Sequence, residues 1–196
     1  ALQLLPGDGG VGARLTSDPR IDGVAFTGST DTALAIRRAM AEHLSPGAPL
    51  IAETGGLNAM IVDSTALPEQ AVRDIVASAF QSAGQRCSAL RCLYVQEDVA
   101  PSVTHMLFGA MDELALGNPW TLATDVGPVI DAEAASGIAA HVARARSEGR
   151  LLKDVSAPGT GHFIAPAVIR VSSIADIGEE VFGPILHLVT FRAGEI

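Results

Sequence analysis

The sequence has few aromatic residues, few cysteines, no run of basic residues and no long apolar run. Only 4% of its 196 residues are aromatic, so aliphatic side chains must fill most of any core. The formal net charge of −9 argues against nucleic acid and anionic membranes as partners, since binding phosphate requires a basic surface. No stretch approaches the roughly 20 apolar residues of a membrane span. We therefore expect neither a nucleic-acid partner nor a membrane span.

Cysteine occurs only at positions 87 and 92, which excludes a disulfide framework and favours a reducing cytoplasm. The chain begins without Met, and its first residues lack the charged start and the cleavage site of a secretion signal. Its last residues follow directly on a strand-like run. We therefore expect a piece of a longer cytoplasmic protein.

Short apolar runs alternate with segments of helical periodicity along the whole chain, and 48% of its residues are hydrophobic. This alternation predicts an α/β fold, a mostly parallel sheet flanked by helices. The predicted strands cover residues 24–27, 50–52, 59–62, 92–96, 151–152, 168–171 and 185–189. Helices are predicted after Ser29, from Pro68, over about 99–116 and over about 131–148, the last with Ala135, Ile138, Ala139 and Val142 facing inward.

Cys87 stands in a loop of small and polar residues, SAGQRCSA, directly after a predicted helix. Such a loop gives a thiol access to a substrate and to backbone N–H groups. A free thiol titrates near pH ~8.5, so a nucleophilic thiol needs a local feature that eases its ionisation. The adjacent Arg86 supplies positive charge, although its side chain can equally point away from the thiol. A lone cysteine is more often buried and inert, and Cys92, within the apolar run RCLYV, fits that interpretation. Cys87 is therefore the candidate nucleophile.

Glu53 ends an apolar run and precedes Thr54 and two glycines. A carboxylate beside such a flexible turn can change rotamer and reach into a cleft. There it can serve as the general base for a water molecule that attacks a thioester. A surface carboxylate at a turn is the competing interpretation.

The segment FTGS combines a strand, Gly28 and the start of a helix. The free N–H groups at a helix N-terminus favour a phosphate, and glycine permits its close approach. Ser29 can instead simply cap the helix, and the segment is not the GxGxxG fingerprint.

The segment EEVFGP places two acids and an aromatic residue before a Gly-Pro turn. A carboxylate can accept hydrogen bonds from ribose hydroxyls, and an aromatic side chain can pack on a nicotinamide ring. A solvated acidic turn with a core phenylalanine is the competing interpretation. The five histidines show no metal-ligand spacing, so no metal site is predicted.

The motifs FTGS, ETGG, FQSAGQRCSA and EEVFGPI, in this order, resemble the aldehyde dehydrogenase superfamily over essentially the whole chain. The strings IAETGGLNAMIVDSTALPEQAV and FQSAGQRCSALRCLYVQ are similar in particular to its glutamate semialdehyde (pyrroline-5-carboxylate) dehydrogenase branch, the module found in bifunctional proline utilisation A (PutA) flavoenzymes. The resemblance implies that residues 1–50 form the C-terminal part of a dinucleotide-binding domain. Residues 51–196 would then form a catalytic domain that is truncated at its C-terminus.

The resemblance also implies the catalytic roles. Cys87 would attack the aldehyde, hydride would leave to NAD, and Glu53 would activate the water that hydrolyses the remaining thioester. The backbone N–H of Cys87 would contribute to an oxyanion hole. Ser88 would contact the α-carboxylate end of the substrate.

The binding roles follow from the same resemblance. Gly28 and Ser29 would meet the dinucleotide phosphates, Glu180 the ribose of the nicotinamide half, and Phe182 its ring region. The implied reaction is the NAD-dependent oxidation of L-glutamate 5-semialdehyde to L-glutamate in proline breakdown. We expect the longer protein to be a homo-oligomer, with FAD in a fused proline dehydrogenase domain, and the present chain to be inactive alone.

Three alternatives stay open at this level. Another NAD(P)-dependent aldehyde dehydrogenase would share every motif, and a noncatalytic structural or binding fragment would share the fold. A cysteine hydrolase would use Cys87 without a cofactor, but it leaves FTGS and EEVFGP without a role. A serine hydrolase is not favoured, because Ser88 has no matching His and Asp arrangement.

Overall fold

The computed structural model describes residues 2–195 of the chain. The chain forms two compact units, Ala1–Gly55 and Gly56–Ile196. The domain boundary expected after residue 50 falls inside the first unit, because the strand Leu50–Glu53 pairs there with Val24–Thr27. The division into a dinucleotide-binding part and a catalytic part stays a prediction.

The described residues of the first unit form two helices and a two-stranded parallel sheet. Its elements are α1 (Gly9–Thr16), β1 (Val24–Thr27), α2 (Thr30–His43) and β2 (Leu50–Glu53). The strands pair in register from Val24 opposite Leu50 to Thr27 opposite Glu53. Ile36, Met40 and Leu44 recur every four residues, the spacing of one helix face, and form the buried cluster of this unit.

The second unit is a five-stranded sheet with helices. Its strands are β3 (Asn58–Val62), β4 (Leu90–Gln96), β5 (Leu151–Asp154), β6 (Ala167–Arg170) and β7 (Ile185–Phe191). Its helices are α3 (Pro68–Phe80), α4 (Ala100–Asp112) and α5 (Ala132–Ser147). Two 3₁₀ turns lie at Gln81–Gly84 and Ile174–Ile177. The strand order is β3-β4-β7-β6-β5. All neighbouring pairs are parallel except β5 with β6, which confirms the predicted α/β class.

The interior strand β4 is buried on both faces, which explains its nearly continuous apolar sequence. Leu93 belongs to the main core, whereas Cys92 packs with Val171, Ile177 and Val189 in a smaller cluster. Burial raises the pKa of the Cys92 thiol to about 11. The interpretation of Cys92 as a buried residue is therefore confirmed, and its lack of reactivity stays a prediction.

Two details of the predicted helices were wrong. The helix predicted over 99–116 ends at Asp112, because the following segment folds back and Ala115 N donates to the Asp125 carboxylate at 2.9 Å. In α5, Ala139 is exposed and Ala145 is buried, because Ile138, Val142 and Ala145 form the line that faces the core. The antiparallel β5–β6 pair was not predicted. Within residues 2–195, no helix is long and apolar enough to cross a bilayer.

Candidate active site

The candidate residues of the second unit lie at the N-terminal ends of the parallel strands of its sheet. β3, β4 and β7 run in the same direction and start at Asn58, Leu90 and Ile185. The Cys87 loop leads directly into β4, and residues 179–184 lead into β7. The topology therefore brings these two loops together. Open α/β sheets usually bind ligands at the other end, beyond the carboxyl ends of their strands.

Cys87 and the adjacent Ser88 are both exposed, as a nucleophile and a substrate contact require. The side-chain amide of Asn58 holds their backbone from β3. Its Nδ2 donates to the carbonyl oxygen of Cys87 at 2.7 Å and to that of Ala89 at 3.0 Å. One amide nitrogen thus fixes the loop on both sides of Ser88.

The residues before Cys87 adopt an unusual backbone. Ser82, Ala83 and Gly84 have φ values of 56°, 53° and 66°, in the left-handed region. For a residue with a side chain this conformation costs roughly 1–2 kcal/mol. At Gly84 a Cβ would lie 2.1 Å from the carbonyl oxygen of Gly183, so only glycine fits. The turn therefore presses the Cys87 loop against the loop that leads into β7.

Gln85 attaches the same loop to a second segment of the chain. Its Oε1 accepts from Ile130 N at 2.8 Å, and its Nε2 donates to the carbonyl oxygen of Ser82 at 3.1 Å. Arg86 is exposed and its guanidinium donates to Gln81 Oε1 at 2.8 Å. The charge next to Cys87 is therefore held by a side chain of the preceding 3₁₀ turn.

Arg91 is a nearly fully buried arginine that connects the two loops. Its Nε donates to Glu180 Oε1 at 2.9 Å, and its Nη2 lies 2.8 Å from the same oxygen. Its Nη1 donates to the carbonyl oxygen of Gly183 at 3.0 Å, and its Nη2 to that of Arg86 at 3.3 Å. Glu180 Oε2 accepts from Gly56 N at 3.0 Å. The charge of Arg91 is thus paired, as burial requires.

Phe182 projects from the same loop and is 45% exposed, which is unusual for a phenylalanine and leaves its ring open to a ligand. The guanidinium carbon of Arg91 lies 5.3 Å from the ring centroid, in the range of a cation–π contact. Glu180 and Phe182, which the sequence proposed as cofactor contacts, are therefore held by one arginine.

A histidine pair supports the backbone of Arg91 from β7 and α5. His187 Nδ1 lies 3.1 Å from the Arg91 carbonyl oxygen, and His187 Nε2 lies 3.1 Å from His141 Nε2. Because the carbonyl only accepts, His187 carries its proton on Nδ1 and His141 must donate from Nε2. Burial lowers the pKa of His187 to about 4, and it also lowers that of His141. Within residues 2–195, no group of histidine, cysteine and carboxylate side chains could hold a metal ion.

The first unit holds Gly28, Ser29 and Glu53 at the carboxyl ends of its two parallel strands. Gly28 N donates to the carbonyl oxygen of Glu53 at 3.1 Å, and the Glu53 side chain is exposed. Ser29 caps α2, since its Oγ accepts from Thr32 N at 3.2 Å. A helix N-terminus at this position suits a phosphate group. The capping role of Ser29 is thus observed, and its phosphate contact stays a prediction.

Two residues of the site were missed in the sequence. Arg91 interrupts an apolar strand, and a charged residue in a buried strand signals a specific partner. Asn58 stands at the start of β3, where nothing in the local sequence marks it. Its partners lie 29 and 31 residues away along the chain, so only the β3–β4 pairing reveals them.

A model of the aldehyde dehydrogenase family matches residues 1–195. The chain belongs to this family. The bifunctional protein PutA of Klebsiella aerogenes is 51% identical over 207 residues, covering 100% of this chain and 16% of that protein. The 1-pyrroline-5-carboxylate dehydrogenase of Bacillus cereus strain B4264 is 36% identical over 94% of this chain and 37% of its own length. The chain thus spans only a minor part of these relatives.

Solved structures agree with the family assignment. The D779W mutant of Bradyrhizobium japonicum PutA superposes with a TM-score of 0.92 and 55% identity, over 95% of this chain and 19% of that one. Betaine aldehyde dehydrogenase from Staphylococcus aureus, solved with NAD⁺, gives a TM-score of 0.87 and 29% identity, over 95% of this chain and 38% of that one. The predicted family and its PutA-like branch are both confirmed.

Proposed function

We propose that the natural protein containing this sequence oxidises an aldehyde to a carboxylic acid, with Cys87 as its covalent nucleophile. The observation that carries the proposal is an exposed cysteine on a loop that Asn58 and Gln85 hold by side-chain hydrogen bonds. Such a fixed, accessible thiol suits nucleophilic catalysis, whereas the buried Cys92 does not.

The first half of the proposed reaction makes a covalent adduct. The Cys87 thiolate attacks the aldehyde carbon, and a carbon–sulfur bond forms as the carbonyl oxygen becomes an oxyanion. The backbone N–H of Cys87 would donate to the developing charge. A bound cofactor would supply the acceptor for the hydride that leaves this carbon, and a thioester would remain on Cys87.

NAD is the cofactor that we propose. Glu180 Oε2 has one N–H donor, Gly56, among the described residues, and it can also accept a ribose hydroxyl. The exposed ring of Phe182 offers an apolar face, and Gly28 precedes a helix N-terminus suited to a phosphate. Each of these features, taken by itself, suits one part of a dinucleotide, and the Staphylococcus aureus neighbour was solved with NAD⁺.

The second half releases the acid. We propose Glu53 as the general base that takes a proton from water as the water attacks the thioester. The carbon–sulfur bond then breaks and the Cys87 thiolate is restored. Glu53 is exposed at the end of β2, where glycines follow it in the chain, so its side chain is free to change rotamer.

We propose L-glutamate 5-semialdehyde, an intermediate of proline breakdown, as the substrate. Relatives whose names include PutA and 1-pyrroline-5-carboxylate dehydrogenase support this choice over a simple aliphatic aldehyde. The exposed Ser88 hydroxyl would donate to the α-carboxylate of the substrate. The likeness to betaine aldehyde dehydrogenase favours, as a second candidate, an aldehyde dehydrogenase with another small substrate.

We also propose that the natural protein is bifunctional. A bifunctional parent would carry FAD in a proline dehydrogenase domain, would assemble as a homo-oligomer and would work in the cytoplasm, whose reducing conditions suit two free cysteines. The present chain would be inactive alone.

Replacing the two cysteines separately in the full-length protein tests the proposal. Cys87→Ala should abolish NADH formation from glutamate semialdehyde and leave NAD affinity within about twofold, because it removes only the nucleophile. Cys92→Ala is the matched control and should keep most of the activity. Wild-type turnover by Cys87→Ala would show that the nucleophile is wrongly assigned.

A further inference from the structure

We infer that Arg91 is a positioning residue that fixes the Glu180 carboxylate in the orientation needed to bind the cofactor ribose. The inference rests on the proposed function, because it concerns the same site. Arg91 is 1% exposed on the interior strand β4, so it does not touch a ligand itself. Burying a guanidinium is costly unless it is paired, and its placement therefore points to a specific task.

The contacts of Arg91 fix its guanidinium in one plane. Besides Glu180 Oε1, it donates to the carbonyl oxygens of Gly183 and Arg86, at 3.0 and 3.3 Å. These oxygens belong to the two loops of the site, and both are main-chain atoms. The guanidinium is thus oriented by the backbone and acts as a rigid template for Glu180.

The Glu180 carboxylate is held from two directions. Oε1 lies 2.9 Å from Arg91 Nε and 2.8 Å from Nη2, and Oε2 accepts from Gly56 N at 3.0 Å. Each carboxylate oxygen has about two lone pairs, so Oε2 keeps one for a hydroxyl donor. The direction of that lone pair is set by Arg91. A carboxylate that rotates freely would bind the ribose more weakly, because it would lose conformational entropy when the ribose binds.

Phe182 is oriented by the same guanidinium. Its ring centroid lies 5.3 Å from the guanidinium carbon, so the arginine contacts both residues that would meet the nicotinamide half of the cofactor. Lysine could keep the charge, but it lacks the planar fork and cannot reach Glu180 and both carbonyl groups at once. Arg91→Lys therefore separates charge from positioning.

The test measures NAD affinity by titration calorimetry in the full-length protein, with Arg91→Lys, Glu180→Gln and the double variant. Each single change should weaken NAD binding by about tenfold, the range of one charged hydrogen bond. If Arg91 acts through Glu180, the double variant should bind NAD at most about twofold more weakly than Glu180→Gln does. In each single variant the KM for NAD should rise about tenfold, and the KM for the aldehyde should stay within about twofold of the wild-type value. Arg73→Lys, an exposed arginine of α3, is the matched control and should change neither value.

A milder variant covers the case in which Arg91→Lys does not fold. Glu180→Asp keeps the charge and shortens the side chain by one carbon. With Arg91 fixed by main-chain oxygens, the shorter carboxylate cannot meet the arginine and the ribose together. We expect about tenfold weaker NAD binding, and wild-type affinity would refute the inference. Circular dichroism and the melting temperature establish that each variant is folded.

The outcomes separate this inference from the proposed function. Wild-type NAD affinity in folded Arg91→Lys, or additive losses in the double variant, would overturn the positioning role and leave the dehydrogenase intact. A wild-type protein that neither binds NAD nor oxidises an aldehyde would instead refute the proposed function.

Discussion

His187 illustrates how a single side chain beneath the site can make its structure depend on pH. In the folded state this histidine is neutral, and burial lowers its pKa from the ordinary 6.5 to about 4. A second proton would sit on Nε2, facing the N–H of His141 at 3.1 Å. The neutral form alone therefore fits between His141 and the carbonyl oxygen of Arg91.

The sign of the pH effect follows from this lowered pKa. The unfolded chain takes up the proton near pH ~6.5, whereas the folded chain resists it until about pH 4. The stability that neutral His187 contributes is therefore fully present above pH ~6.5 and is lost as the pH falls toward 4, by up to about 3 kcal/mol. Hydrogen exchange of the β7 amides, corrected for the intrinsic rate at each pH, should report weaker protection at pH 5 than at pH 7.5.

Variants of two histidines check that His187 is responsible. His187→Gln removes the group with the larger pKa shift and should weaken the pH dependence of exchange in β7; the lowered pKa of His141 accounts for what remains. His105→Gln changes an exposed histidine of α4 and should leave the dependence unchanged. An unaltered pH dependence in His187→Gln would assign the effect to another group.

Among the elements, the turn before Cys87 carries backbone strain. Ser82 and Ala83 have positive φ although neither is glycine, and Gly84 packs on the backbone of Gly183. Strain of this kind persists only where surrounding contacts maintain it. The side-chain bonds of Gln85 and Asn58 supply such contacts in the following loop.

Gly84→Ala should disrupt this turn. The new Cβ would meet the Gly183 oxygen at 2.1 Å and would stand on a residue with φ of 66°. We expect a loss of at least about 2 kcal/mol in stability, from the left-handed backbone and the collision together, and a large loss of dehydrogenase activity. Gly109→Ala, where nothing lies within 4 Å of the new Cβ, should instead stabilise α4 by up to about 1 kcal/mol. Equal melting temperatures for the two variants would contradict the account of this turn.

The elements themselves could largely be predicted from the sequence. Apolar runs and the helix-opening Pro68 give the correct identity of most strands and helices, because hydrophobic periodicity reports which face is buried. Periodicity does not report where an element ends. The end of α4 depends on Asp125, whose carboxylate accepts from the backbone ten residues earlier. The antiparallel direction of β5 likewise depends on tertiary pairing.

Across the whole molecule, the site residues form two groups: some are recognised from neighbouring residues in the sequence, and others only from contacts with residues far away in the sequence. Cys87, Glu180 and Phe182 stand in segments with a recognisable local pattern, and the structure places all three in the second unit. Arg91 and Asn58 act through partners many residues away, so their roles emerge only when β4 lies between β3 and β7. The chain spans 16% of the Klebsiella aerogenes relative, so activity belongs to experiments on the full natural protein.

Direct detection of the acyl group on Cys87 is the most decisive measurement. In full-length Glu53→Gln, glutamate semialdehyde and NAD should give one burst of NADH and then stall, because the thioester forms but no base activates water. Peptide mass spectrometry should find the acyl group on Cys87 and none on Cys92. An NADH burst with unmodified Cys87, or an acyl group at another residue, would contradict the covalent mechanism.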